Sequence, residues 1–121
     1  MRHAARCGEF VINSTAENKG REWALHNLGD MFSKVGRLDE AKTMYQRALQ
    51  GYEKALGPNH TSTLNTVNDL GLLYADLGRL EEAKKMYQRA LQGYEKAMGH
   101  EAVKTYIPAL NTLENLAALC A

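Results

Sequence analysis

Cysteine and proline are scarce in this 121-residue chain, with two of each, and long apolar runs are missing altogether. Cys7 and Cys120 sit at opposite ends with no C-x-x-C, so the spacing implies neither a disulfide framework nor a zinc site. A reducing, cytoplasmic compartment is the default reading. No run of about 18 apolar residues occurs, so nothing is set up to span a bilayer. The start, MRHAARCGEF, has no apolar core of a secretory signal. Charge of one sign is also missing: 15 Lys+Arg against 14 Asp+Glu leave +1. That balance gives no electrostatic reason to expect nucleic acid or an anionic membrane as partner. A hydrophobic share of 45% is an ordinary globular one and excludes wholesale disorder.

What the chain does have is a repeat. Residues 36–57 read GRLDEAKTMYQRALQGYEKALG, and residues 78–99 read GRLEEAKKMYQRALQGYEKAMG. Nineteen of 22 positions are identical at an offset of 42. The stretch before each copy aligns too: Leu25 to Gly29 faces Val67 to Gly71, and Phe32 faces Tyr74. A third, incomplete copy runs from Leu110 to Ala117 and matches Leu64 to Gly71 at an offset of 46, so four residues are inserted.

Within each copy the apolar spacing is helical. Leu80, Ala83, Met86, Tyr87, Ala90, Leu91, Tyr94, Ala97 and Met98 step by threes and ones along one stripe. Glu81, Glu82, Lys85, Arg89, Gln92 and Lys96 fill the other faces, and Glu81–Lys85 is a favourable i,i+4 pair. Gly57-Pro58 and Gly99 read as stops, because Gly adopts αL freely and Pro cannot continue a helix. In the preceding segment Val67, Leu70, Gly71, Tyr74 and Leu77 share a face. The spacing predicts helices at about 2–12, 20–34, 38–56, 62–76, 80–98 and 105–120. Ser14-Thr15-Ala16-Glu17 has the form of a capping box, and Gly20 argues against extending the second helix back to it. Residues 1–20 read as a partial preceding helix and loop. Residues 21–121 read as an array: repeat one 21–61, repeat two 62–103 and a partial repeat three 104–121.

Leu25-x2-Leu28-Gly29-x2-Phe32 followed by Ala41-x3-Tyr45, and Val67-x2-Leu70-Gly71-x2-Tyr74 followed by Ala83-x3-Tyr87, resemble the tetratricopeptide repeat. The resemblance implies an all-α fold, a right-handed superhelical solenoid of antiparallel helix pairs. Small Gly29/Gly71, Ala41/Ala83 and Ala48/Ala90 let paired helices approach. The family's usual unit is shorter, and a longer second helix is expected to absorb the extra length. The 42-residue period and ALGPNHTSTLNTVNDLGLLYADLG resemble kinesin-light-chain repeats, and most of all the arrays of fungal receptor-like proteins that carry a nucleotide-switch domain. The chain departs from the pattern by lacking the Pro at the repeat end and by placing Ala117 where Gly is expected.

Catalytic constellations are missing. There is no G-x-x-x-x-G-K-[ST] and no G-x-G-x-x-G, and GRLEEAKK reads as a helix start. The expectation is a non-enzyme that needs no cofactor. His26 and Asp30 have the i,i+4 spacing of metal ligands, but no further ligand is evident nearby, and groove-lining polar residues are the blander reading. His60 reads as a solvated loop residue. Asn13-Ser14-Thr15 and Asn59-His60-Thr61 match glycosylation sequons without a signal peptide to give them meaning. Tyr45, Tyr52, Tyr87 and Tyr94 offer either a stacking platform or, more simply, core packing with one hydroxyl reaching a partner. Gly51 and Gly93 recur in mid-helix, where Gly costs about 1 kcal/mol against Ala. They suggest close packing between repeats, or simply derive from one duplication.

The binding face follows by subtraction. Opposite the core face of the first helices lie Trp23, His26, Asn27, Asp30, Ser33 and Lys34 in repeat one. Repeat two gives Asn65, Asn68, Asp69, Leu72, Ala75 and Asp76, and repeat three gives Asn111, Glu114, Asn115 and Ala118. The resemblance implies that first helices line a concave groove for a protein or peptide partner; a merely solvated face is the alternative. Asp30, Asp69, Asp76 and Glu114 against Lys34 leave −3 there. Kinesin-light-chain grooves that take acidic cargo carry clustered basic residues, and none stands here, so neutral or basic peptides are expected. Two readings result: a peptide-binding module, or a structural or sensor segment of a larger array without its own ligand. Leu110, Leu113, Leu116, Leu119 and Cys120 form an apolar stripe that lacks a covering second helix, which predicts self-association through the C-terminal helix.

Overall fold

The computed structural model describes residues 21–120, the side chain of Cys120 excepted; the readings on 2–12 and 14–17 fall outside them. The described residues form six helices and no strand: α1 (Glu22–Lys34), α2 (Leu38–Leu56), α3 (Thr61–Asp76), α4 (Leu80–Met98), α5 (His100–Val103) and α6 (Ile107–Cys120). The second helices α2 and α4 each have 19 residues, about 28 Å at 1.5 Å per residue. One expectation fails in detail. The four inserted residues do not simply lead into a helix at 105: His100–Val103 winds a separate turn, and α6 starts at Ile107 with Pro108 in its first turn, where no N–H is required.

The turns explain the helix ends. After α1, Arg37 N–H donates to Phe32 C=O and Gly36 N–H to Ser33 C=O; after α3, Arg79 N–H donates to Tyr74 C=O and Gly78 N–H to Ala75 C=O. These paired bonds satisfy carbonyls that a helix end leaves open, and they need a left-handed residue in between. Gly36 and Gly78 supply it at φ 84° and 80°. In the same motif Arg37 lies 5.5 Å over the Phe32 ring, and Arg79 lies 5.2 Å over Tyr74. Gly57 and Gly99 end α2 and α4, also at positive φ. His60 is not an idle loop residue: its Nδ1 accepts from Ser62 N–H and caps α3.

The core lies where α3 packs between α2 and α4. Ala41, Tyr45, Leu70, Leu73, Tyr74, Ala83 and Tyr87 form one buried cluster; Leu64, Val67, Ala90, Tyr94 and Ala109 form another. Burying a Leu, Val or aromatic side chain contributes about 1.5–3 kcal/mol. The tyrosine series is therefore largely core: Tyr45, Tyr87 and Tyr94 are buried and Tyr52 half-buried. Two members of the expected stripe of α4 lie outside the core, since Leu80 and Ala97, at its two ends, are exposed. Gly51 and Gly93 do mark close approaches, but within repeats rather than between them. A Cβ on Gly51 would strike the Glu22 side chain, and one on Gly93 would strike Leu64.

Candidate functional site

The first helices α1, α3 and α6 carry all the groove candidates. Burial on α3 reaches further round than the subtraction assumed. Thr63, Leu64, Thr66, Val67, Leu70, Gly71, Leu73 and Tyr74 are all buried. A helix with a second helix on each side keeps only a narrow outward strip. Leu72 and Asp76 are exposed on it; Asn65, Asn68 and Asp69 are half-buried. On α1, Trp23 and Asn27 are exposed, with His26 and Asp30 half-buried. On α6, Asn111 and Glu114 are exposed and Asn115 is half-buried.

Several of these side chains are engaged within the fold. Tyr94 O–H donates to Asn65 Oδ1, and Thr112 O–H donates to Asn68 Oδ1 at 2.9 Å. Thr66 bonds His26 Nδ1 at 2.9 Å. Thr66 and Thr112 are equivalent in the repeat, as are His26 and Asn68. A threonine thus bonds the preceding first helix at both contacts, to Asn68 in one and to His26 in the other. The sequence offered a signal for it, the aligned threonines at the 46-residue offset, and the groove reading passed over it.

The most connected cluster joins α1 to α3. Thr66 O–H also reaches the Ser62 carbonyl at 3.1 Å, so its oxygen is placed to accept from His26 Nδ1–H. The other ring nitrogen, Nε2, then faces Asp69 Oδ2 at 2.5 Å and Asp30 Oδ1 at 3.8 Å. Tyr45 O–H donates to Asp30 Oδ1, and the Tyr45 ring meets the imidazole edge-on at 5.4 Å between centroids. Burial alone would lower the His26 pKa; the hydrogen bond to Asp69 and the charges of Asp69 and Asp30 outweigh it and raise the pKa above 6.5. Burial first, then the bond to Asp30 and the two carboxylate charges, raise the Tyr45 pKa. His26, Asp30 and Asp69 each offer a ligand atom, all within 4.8 Å of one another. The i,i+4 pair read from the sequence therefore has a third member, 39 positions beyond Asp30, which only the packing of α1 on α3 reveals.

At the other end, Ile107, Leu110, Asn111, Leu113, Glu114 and Ala117 line an open depression of about 500 Å³ on α6. Leu110 and Leu113 are 42% and 52% exposed, while their equivalents Leu64 and Val67 are fully buried under α4. Leu116 and Leu119 pack on the cluster around Tyr87. The described residues contain no helix long and apolar enough to cross a membrane.

Stacked antiparallel helix pairs, with small residues at each crossing and a threonine bond recurring between first helices, define an α-helical repeat protein of the solenoid class. Residues 20–96 match the tetratricopeptide repeat, and the chain belongs to that family. Over 44 residues, 36% of its length, the chain is 39% identical to a nucleotide-binding leucine-rich repeat (NLR)-like protein of Hyaloscypha variabilis. The aligned stretch covers 4% of that much longer relative.

Proposed function

We propose that the chain is a non-catalytic interaction module that binds a peptide or protein along the side formed by its first helices. One observation carries this reading: Trp23 and Leu72 stand 62% and 41% exposed on that side, among amides and carboxylates. An aromatic and a leucine supply apolar anchors. Asn27, Asn111 and Asn115, with the donor ends of Asn65 and Asn68, suit a peptide backbone whose own polar groups need partners. Asp30, Asp69, Asp76 and Glu114 outnumber Lys34 and protonated His26, which favours neutral or basic peptides through encounter and partner choice. The reading calls for no cofactor, nucleic acid or membrane, and a cytoplasmic setting goes with it.

Screening a peptide library and titrating the best binders tests it. Trp23→Ala and Leu72→Ala should each weaken binding about tenfold or more, about 1.4 kcal/mol, with melting little changed. A library without binders, or one in which acidic sequences bind best, overturns the reading.

The second reading is a structural or sensor segment of a larger receptor-like array. The exposure of Leu110 and Leu113 on α6 favours it, as does the match to a small part of a long NLR-like relative. On this reading α6 is a stacking surface, and the isolated chain self-associates through it.

A further inference from the structure

The geometry points to a divalent transition-metal site at His26, Asp30 and Asp69, bridging the first helices of repeats one and two. An imidazole and two carboxylates are a donor set for borderline ions such as Zn²⁺, whose ligands are nitrogen and oxygen at about 2.0–2.2 Å. The three donor atoms already lie within 4.8 Å of one another, and Nε2 stands 2.5 Å from Asp69 and 3.8 Å from Asp30. Closing them round one ion needs only side-chain adjustment, because α1 and α3 set their positions. Thr66 sits on Nδ1, which fixes the ring with Nε2 toward the carboxylates. Metal-bound histidines characteristically have such a partner on the other nitrogen.

Two further observations separate this cluster from an ordinary ion pair. The first is charge: one imidazolium faces two carboxylates, and among the described residues no Lys or Arg forms an ion pair with either. The cluster keeps at least one negative charge in a half-buried place, and a divalent ion would remove it. The second is the repeat itself. The positions equivalent to His26, Asp30 and Asp69 at the next contact are Asn68, Leu72 and Asn115. There the threonine bond is made to Asn68 and first helices pack without any ionisable group of this kind. Packing therefore does not call for the triad. Three ligand-type residues replace two amides and a leucine at one point in space, in a chain whose repeats are otherwise nearly copies. The inference is independent of the peptide-binding reading.

The test uses the full chain freed of metal by chelation. Zn²⁺ is titrated by calorimetry, and Co²⁺ is followed by its visible ligand-field bands. The expected result is one ion per chain bound at these residues and a melting temperature that rises with Zn²⁺ concentration. His26→Asn and Asp69→Asn should each weaken that binding at least about tenfold and remove the Co²⁺ bands. Both variants install residues the fold already carries at the equivalent positions, so folding is preserved, as circular dichroism would check. The double variant His60→Gln/His100→Gln should bind like the parent. Absence of binding, or binding that persists unchanged in both His26→Asn and Asp69→Asn, overturns the site.

Discussion

The ring of Tyr87 lies directly against Gly71, so close that a Cβ there would stand 2.6 Å from Cε1. Tyr45 stands in the same relation to Gly29, again at 2.6 Å. Both rings are buried between α3 and its neighbours, with little room to retreat. Gly71→Ala should therefore lower stability by about 1–3 kcal/mol, the usual penalty for overpacking. Leu72→Ala, one residue on but facing out, should cost under about 0.5 kcal/mol. Urea melts of the two variants check the helix phase; equal losses would contradict it.

The hydroxyl of buried Tyr94 donates to half-buried Asn65. Tyr94→Phe should destabilise by about 1 kcal/mol and leave Asn65 without its donor. A double-mutant cycle with Asn65→Ala isolates that term. A coupling near zero would mean that the hydroxyl is solvated instead.

In metal-free buffer, His26 gives stability a defined dependence on pH. Its folded pKa is raised, by Asp69 above all and against burial, so the folded state holds the proton more tightly. The stabilisation is fully present below the unfolded value of about 6.5 and is lost as pH rises through the higher folded value. The groups facing the ring are Asp69, Asp30 and Tyr45. Denaturant midpoints across this window should fall as pH rises, and Asp69→Asn should flatten the fall.

At alkaline pH the buried tyrosines act in the same sense. Burial, with the charges of Asp76 and Asp69, pushes Tyr87 up to about 12, and Tyr94 is raised by burial and by Tyr106. The unfolded phenol titrates near 10. Stability should hold to about pH 10 and decline above it. Phenolate absorbance should show Tyr45, Tyr87 and Tyr94, all buried, titrating only on unfolding.

On α6, Leu113→Lys places a charge in the exposed stripe. Sedimentation across a concentration series should show the parent associating and the variant remaining monomeric, with an unchanged melting temperature. A parent of constant monomer mass would dispose of self-association.

Much of the fold was legible because the turns are local. Gly36 with Arg37, and Gly78 with Arg79, sit where a helix end needs a left-handed residue and two amide donors, and the repeat displays the pattern twice. The site was less legible, because it depends on how many neighbours each helix has. Leu28 and Leu70 occupy equivalent positions, yet Leu28 is exposed and Leu70 buried. α3 has a second helix on each side, whereas among the described residues α1 has only α2. Spacing on one helix paired His26 with Asp30; it carried no sign that Asp69 completes the group. That contact is set by the packing of the two repeats.

Among the described residues the positive-φ glycines fall at 36, 57, 78 and 99, at a constant step of 21 residues. Half-units of equal length give the gene a modular grammar. Recombination that adds or removes 42 codons anywhere in this block restores every bend and every helix phase at the new junction. The third copy, offset by 46, lies outside that grammar. Four extra residues turn a helix by about 400°, leaving a net error of about 40° at 100° per residue. Array length can thus drift by whole units upstream of Gly99, while α6 is bound to the helical turn at His100–Val103 that absorbs its offset.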